Sequence, residues 1–339
     1  MLRLPAPRGN VSELLIRELG REVHRLPVPA LPICANPLAD EDLHLSLYLC
    51  YELHYRGIPG VEEGWEWEPS LLALRRDLER EFERGLRAAV TPPDVAPPAE
   101  TMGVALRAIA ESDDGVSLSA YLERDGTAQQ FLEFVVHRSA YNLKEADPHS
   151  WAIPRLSGPP KAALVEIQAD EYGGGRPSRL HARLFADTMD ALGLDSRYGA
   201  YLEQIPAVTL ATVNLMSLLG LHRRWRGAIV GHLALFEITS PVPNRRYGNA
   251  LRRLGFDRAT RFYDEHVEAD AVHESVAAHD LAGGLVRQEP PLARDVLWGA
   301  TALAQLEERF AAHLLGCWSR GTSSLRQPLG ASAAATRPG

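Results

Sequence analysis

From about residue 117 onward, apolar residues recur every three or four positions, and this helical periodicity constrains the fold more than any other feature. No stretch alternates apolar and polar residues for more than a few positions, so strand patterns are lacking. The sequence therefore predicts an all-α protein. Helices are expected near 117–124, 128–145, 159–172, 177–192, 197–203, 207–222, 226–239, 244–254, 257–281 and 291–318.

The N-terminal part of the chain differs in composition from the rest. Proline and short apolar patches dominate residues 1–40, which predicts an extended arm, and helices are expected from Asp40 and over about 69–90. We therefore divide the chain into three parts: an N-terminal arm with accessory helices (1–127), a helical bundle (128–319) and a tail (320–339). The tail is predicted to be disordered because its residues are small, polar and interrupted by proline and glycine.

Charge and cysteine content exclude several classes of protein. The 339 residues carry a formal net charge of -8, which argues against a dedicated binder of nucleic acid or of anionic membranes. The N-terminus lacks the apolar core of a signal peptide, and the longest charge-free stretch, 204–221, is too polar for a membrane span. Three distant cysteines form neither a disulfide framework nor a thiolate zinc pattern, so we expect a cytoplasmic protein.

One helical segment carries a stripe of metal-binding side chains. His266, Asp270 and His273 follow one another at spacings of four and three residues, which places them within about 60° of each other on a helix. Two imidazoles and a carboxylate on one stripe are typical of a nitrogen and oxygen metal site. The alternative is a solvated, charge-rich helix, a description that fits the glutamates of the same segment.

Two further carboxylates precede this stripe. Glu237 is the only acidic residue between positions 204 and 256 and follows an apolar helix, where a lone carboxylate must be paired, protonated or bound to a metal. Its alternative partner is one of the arginines within 223–226. Glu171 and His181 lie ten residues apart across a triple-glycine helix break, and spacing alone leaves open whether they meet or belong to a surface loop.

Taken together, these residues resemble the ligand pattern of the haem-oxygenase-like di-iron oxidases and oxygenases. The stretches KEADPHSWAIPRLSG, ALVEIQADEYGGG, VNLMSLLGLHRRWRGAIVGHLALFE and FYDEHVEADAVHE are similar to bacterial proteins of the iron-containing redox enzyme family. The resemblance covers residues 128–281 densely and extends more loosely to about 318. It implies a haem-oxygenase-like helical bundle, here with an additional N-terminal helical segment.

The resemblance also implies a set of metal ligands. They are Glu171, His181, Glu237, His266, Asp270 and His273. Glu166 is the rival of Glu171 as the first ligand, and Glu145 could supply a carboxylate from outside the six. Ser178 stands where some members carry an additional carboxylate. Three imidazoles and three carboxylates suit iron or manganese better than zinc or copper.

This resemblance implies an enzyme that holds two ferrous ions and uses O2 as a co-substrate. The expected reaction is N-oxygenation, desaturation or oxidative C–C cleavage of an amino-acid-like or fatty-acid-like small molecule, and no catalytic residue is identified beyond the metal ligands. Two alternatives stay open: a cofactor-free or non-redox small-molecule binder of the same architecture, and a helical interaction protein without a metal site. Residues 1–127 could cover the bundle or form a homodimer interface, and neither nucleic acid nor membrane is an expected partner.

Overall fold

The computed structural model describes the backbone of residues 3–27, 34–111 and 117–330, and the side chains of these ranges except those of residues 268–272. Over these ranges the chain forms helices and turns and no strand, which confirms the all-α prediction. None of the helices in the described part of the chain combines the length and the apolar character that a membrane crossing requires.

The helices before the bundle include two that were predicted around Asp40 and residues 69–90. They are α1 (Asn10–Leu19), α2 (Glu41–Glu52), α3 (Pro69–Ala89), α4 (Met102–Glu111) and α5 (Leu118–Arg124). Helix α1 differs from the expectation of an extended arm. Its ten residues contain no proline, and the Asp42 carboxylate accepts hydrogen bonds from the backbone N–H groups of Val11 (2.9 Å) and Ser12 (2.7 Å) at its N-terminus.

The bundle follows, and most of its helices begin and end within a few residues of the predicted bounds. They are α6 (Ala128–Asn142), α7 (Asp147–Ser150), α8 (Gly158–Glu171), α9 (His181–Ala191), α10 (Ala207–Leu221), α11 (Arg226–Thr239), α12 (Pro241–Arg253), α13 (Arg261–Ser275), α14 (Gly284–Gln288) and α15 (Ala293–Ser319). A π-helical segment, Val276–Gly283, continues α13. The helix predicted at 197–203 is wrong, because these residues form turns in which Gly199 has a φ of 73°.

Two glycines let α11 and α15 approach until their backbones touch. A Cβ atom at Gly231 would lie 1.9 Å from the carbonyl oxygen of Val296, and one at Gly299 would lie 1.9 Å from that of Ala228. Helix α10, whose residues are almost all buried, packs against both of these helices. This tight centre fixes α11, from which Glu237 projects.

The C-terminal segment after α15 packs on the bundle as far as it is described. Ser324 is buried, and its N–H and Oγ donate hydrogen bonds to one carboxylate oxygen of Glu133, at 2.9 and 2.7 Å. The indole of Trp318 donates to the same oxygen at 2.9 Å. Residues 320–330, assigned to a disordered tail from the sequence, therefore have defined contacts, while residues 331–339 lie outside the described residues.

Candidate metal centre

Five elements of the bundle bring carboxylates and imidazoles to one buried place. Glu171 is the last residue of α8 and His181 the first residue of α9, so the triple-glycine break folds these two helix ends together. The glycines allow this reversal because all three have positive φ values, between 59° and 74°. The Nδ1 atom of His181 lies 2.9 Å from a carboxylate oxygen of Glu171.

Helices α11 and α13 supply three more of these side chains. His266 and His273 are seven residues apart on α13, almost two full turns, and so point to the same side of the helix. The Nδ1 atom of His273 lies 3.5 Å from a carboxylate oxygen of Glu237 on α11. Both histidines and Glu237 are buried.

Glu145 comes from the turn between α6 and α7. One of its carboxylate oxygens lies 3.5 Å from Nε2 of His266 and accepts a hydrogen bond from the Asn142 side chain at 3.1 Å. Glu145 is 7% exposed, so its carboxylate faces the interior of the bundle. Glu145, which stood outside the six ligands implied by the resemblance, thus belongs to the cluster in the structure.

The side chains form two groups that share one carboxylate. Ligand atoms of Glu145, Glu171, His181 and His266 lie within 4.8 Å of one another, and so do ligand atoms of Glu171, Glu237 and His273. Every residue of both groups is buried. Such an arrangement of nitrogen and oxygen atoms can hold two adjacent cations, with Glu171 able to contact both.

The outer nitrogen atoms of two histidines have partners that fix their ring orientations. Nδ1 of His266 donates to the carbonyl oxygen of Phe262 at 2.8 Å, and Nε2 of His273 donates to the Asp170 carboxylate at 3.0 Å. The opposite nitrogen of each ring therefore faces the carboxylate cluster, which is the usual arrangement of metal-binding histidines. Asp170 and Asn142 could not be predicted from the sequence, because their roles depend on contacts between elements.

Burial and neighbouring charges change the ionisation of the cluster. Burial alone would raise the pKa of Glu171, but His181, with help from the other two histidines, lowers that pKa well below its usual value. Burial alone would lower the pKa of His181, and Glu171 raises it. Without metal, Glu171 and His181 therefore favour each other's charged form, and a cation could take the place of the imidazole proton.

Some residues predicted from the sequence do not enter the described cluster. Glu166 is exposed, because five residues correspond to about 140° of rotation and turn it away from Glu171 on α8. Ser178 is exposed as well. The side chain of Asp270 lies outside the described residues, although its backbone belongs to α13.

Two of the three arginines considered as alternative partners of Glu237 form ion pairs elsewhere, and the third is distant in the structure. Arg224 binds Glu83 at 2.7 Å, and Arg226 forms an ion pair with Glu289. Arg223 belongs to a short 3₁₀ turn just before α11, fourteen residues from Glu237 and therefore about 20 Å from it along the helix axis. These contacts disfavour an ion pair between Glu237 and this basic segment.

A cavity of about 680 Å³ adjoins the cluster and opens toward the surface. Glu145, Glu171, Glu237 and His266 form part of its wall. Its wall also contains the aromatic residues Phe134, Tyr141, Phe185, Phe236, Tyr247, Phe262 and Tyr263. A bidentate ion pair between Arg138 and Glu307, at 2.6 and 2.8 Å, also lines it. The cavity can thus hold an organic molecule beside the carboxylates.

Known proteins share sequence similarity with this chain. Residues 132–308, just over half of the chain, match the family described as iron-containing redox enzyme. Over 145 residues the chain is 28% identical to a nitrosourea synthase from Streptomyces achromogenes subsp. streptozoticus. That alignment covers 42% of this chain and 31% of the relative, so the chain spans about a third of the relative's length.

Proposed function

The chain belongs to the iron-containing redox enzyme family, and from this premise and the two side-chain groups we propose that it is a non-haem di-iron oxidase or oxygenase. The membership confirms the resemblance and the haem-oxygenase-like fold class. The single observation that carries the proposal is that Glu171 belongs to both groups of ligand atoms. A shared carboxylate favours two adjacent ions over two independent sites.

The donor set suits iron. The described residues Glu145, Glu171, Glu237, His181, His266 and His273 offer three carboxylates and three imidazoles, and no cysteine lines either group. Such hard to borderline donors favour iron or manganese, and Asp270 is proposed as a further ligand from α13. Two ferrous ions held there would supply the electrons that reduce O2.

The protein's own residues bind, orient and enclose the reactants. Glu145, Glu171 and Glu237 are buried, and their carboxylates would offset three of the four positive charges of two divalent ions. Asp170 and the Phe262 carbonyl hold the two α13 imidazoles in orientation. Aromatic rings of the cavity wall offer apolar surface beside the carboxylates, where a bound substrate would displace water from the site.

We propose a small molecule with an apolar body as the substrate, of the amino-acid-like or fatty-acid-like class. Its body would pack against rings such as Phe134 and Tyr247, and a charged end would approach the Arg138–Glu307 ion pair. The proposed reaction is N-oxygenation, desaturation or oxidative C–C cleavage. In each of these, oxidation of the substrate accompanies reduction of O2.

The experiment compares iron binding by matched variants. Metal-free protein is titrated with ferrous iron without oxygen, bound iron is counted, and O2 uptake is then followed. We expect two iron ions per chain for the parent and for the Glu166→Ala control, which alters an exposed glutamate of the same helix. Glu171→Ala should lose most of the bound iron and the O2 uptake. Equal iron binding by Glu171→Ala and the parent would contradict the proposed site, whereas a parent that binds no iron would favour a cofactor-free binding protein.

A further inference from the structure

The turn that carries Glu145 has a strained backbone. Residues 143–146 connect α6 to α7, and Ala146 is the one non-glycine residue of the described ranges with a positive φ, 74°. Alanine rarely adopts this conformation because its Cβ atom crowds the backbone. Strained residues persist only where surrounding contacts hold them, and they are often found at functional sites.

The side chain of Gln168 holds this turn against α8. Its amide nitrogen donates to the carbonyl oxygen of Ala146 at 2.8 Å and to the hydroxyl of Ser150 at 2.7 Å. Gln168 is 2% exposed, so these bonds are shielded from water. It precedes Glu171 by three residues, which places both side chains on neighbouring parts of one helix face.

The opposite side of the turn is anchored to α2 and the residues that follow it. Lys144 forms an ion pair with Glu52, and both side chains are fully buried. The guanidinium of Arg56 donates to the carbonyl oxygen of Leu143 at 2.9 Å. The turn is therefore fixed from two sides, with Lys144 directed toward α2 and Glu145 toward the ligand cluster.

We propose that Gln168 is a positioning residue that holds the strained turn 143–146 in the conformation in which Glu145 can bind the same metal ion as Glu171. This inference rests on the proposed function, since it presumes that a metal ion binds there. Gln168 acts through hydrogen bonds to Ala146 and Ser150 and makes no bond to the ion. In its absence the strained turn relaxes, and Glu145 moves away from His266 and Glu171.

A double-mutant cycle on metal binding tests this role. Cobalt(II) or manganese(II) is titrated into metal-free full-length protein against a competing chelator. These ions are chosen because, unlike ferrous iron, they can be handled in air. The variants are Gln168→Met, Glu145→Ala and the pair combined, with Glu166→Ala as the exposed control on the same helix. Gln168→Met should weaken the binding of one of the two ions by about 10- to 100-fold, the usual effect of removing a residue that supports a metal ligand.

The combined variant decides between positioning and general destabilisation. If Gln168 acts through Glu145, the Gln168→Met change alters affinity by less than about twofold once Glu145 is alanine, because the two effects are coupled. Additive losses, or parent-like binding by Gln168→Met, overturn the inference. Gln168→Glu, which keeps size but removes the donor, is the second variant should Gln168→Met not fold. A parent that binds no metal would instead refute the proposed function.

Discussion

Metal affinity at the proposed centre should depend steeply on pH, since His273 must lose a proton before its Nδ1 atom can bind an ion. Burial alone would lower the pKa of His273, but Glu237 and Asp170 outweigh this effect and raise the pKa to about 9. A histidine binds metal only as the neutral imidazole. Below pH 9 each ion that binds at His273 therefore displaces one proton.

The pKa of His273 sets the magnitude. Displacing one proton per ion changes the apparent affinity tenfold per pH unit, so affinity should rise about 100-fold from pH 6.5 to 8.5 and level off near pH 9. The same shift acts on the folding of the metal-free protein. Because the folded-state pKa lies above the unfolded value of about 6.5, protonated His273 stabilises the metal-free fold fully below pH 6.5, and this contribution is lost as the pH rises to 9.

The assay is a cobalt(II) titration against a chelator of known affinity at several pH values, combined with proton release measured in weak buffer. Asp170→Asn removes the charge beside His273 but keeps an oxygen that can accept its hydrogen bond. The pH at which the metal affinity levels off should therefore be lower in this variant. Glu166→Gln makes the same change of charge at an exposed position of the same helix and should leave the profile unaltered. A flat affinity profile with no proton release would refute the reasoning.

Three further predictions concern the fold. Gly231→Ala would place a Cβ atom 1.9 Å from the Val296 carbonyl oxygen, so α11 and α15 must separate. Chemical denaturation should show that the free energy of unfolding falls by about 1–3 kcal/mol or more, and an unchanged midpoint would contradict this packing. Lys144→Met leaves the buried Glu52 carboxylate without its cation and should lower the free energy of unfolding by about 3–5 kcal/mol. Adding Glu52→Leu should restore most of this loss, and a double variant as unstable as the single one would speak against the ion pair. Burial lowers the pKa of His44 to about 4, so protonation of this residue favours the unfolded chain and should account for about 3 kcal/mol of the stability that the parent loses between pH 6.5 and 4. His44→Gln should lose less by about this amount, and parallel pH–stability curves would be the contrary result.

Much of the fold could be predicted from local patterns. The bounds expected for α11 coincide with the observed Arg226–Thr239, and those of α8 and α15 differ by a residue or two at each end. The predictions failed where a local signal was weak or misleading. Prolines on both sides of Asn10–Leu19 concealed a helix, and residues 197–203 have helical spacing but form turns around Gly199.

The candidate site was predictable only in part. His266 and His273 lie on one helix, so their spacing alone places them on one face. Glu145 and Glu166 were both candidates. Helix geometry shows that Glu166 and Glu171 point about 140° apart, but not which of the two faces the other ligand residues. Only the folded chain turns Glu166 to the surface and brings Glu145 to His266.

The sequence by itself determined the helical class of this protein, the histidine stripe on α13 and a donor set without cysteine, because periodicity and residue chemistry are local properties. Tertiary structure alone decided which carboxylates meet, that Glu171 is shared, and that Asp170 and Gln168 support the ligand residues. These relations depend on the strained turn at Ala146 and on packing between helices distant in the chain. Neither the backbone angle of one alanine nor a contact across the bundle produces a periodic pattern in the sequence.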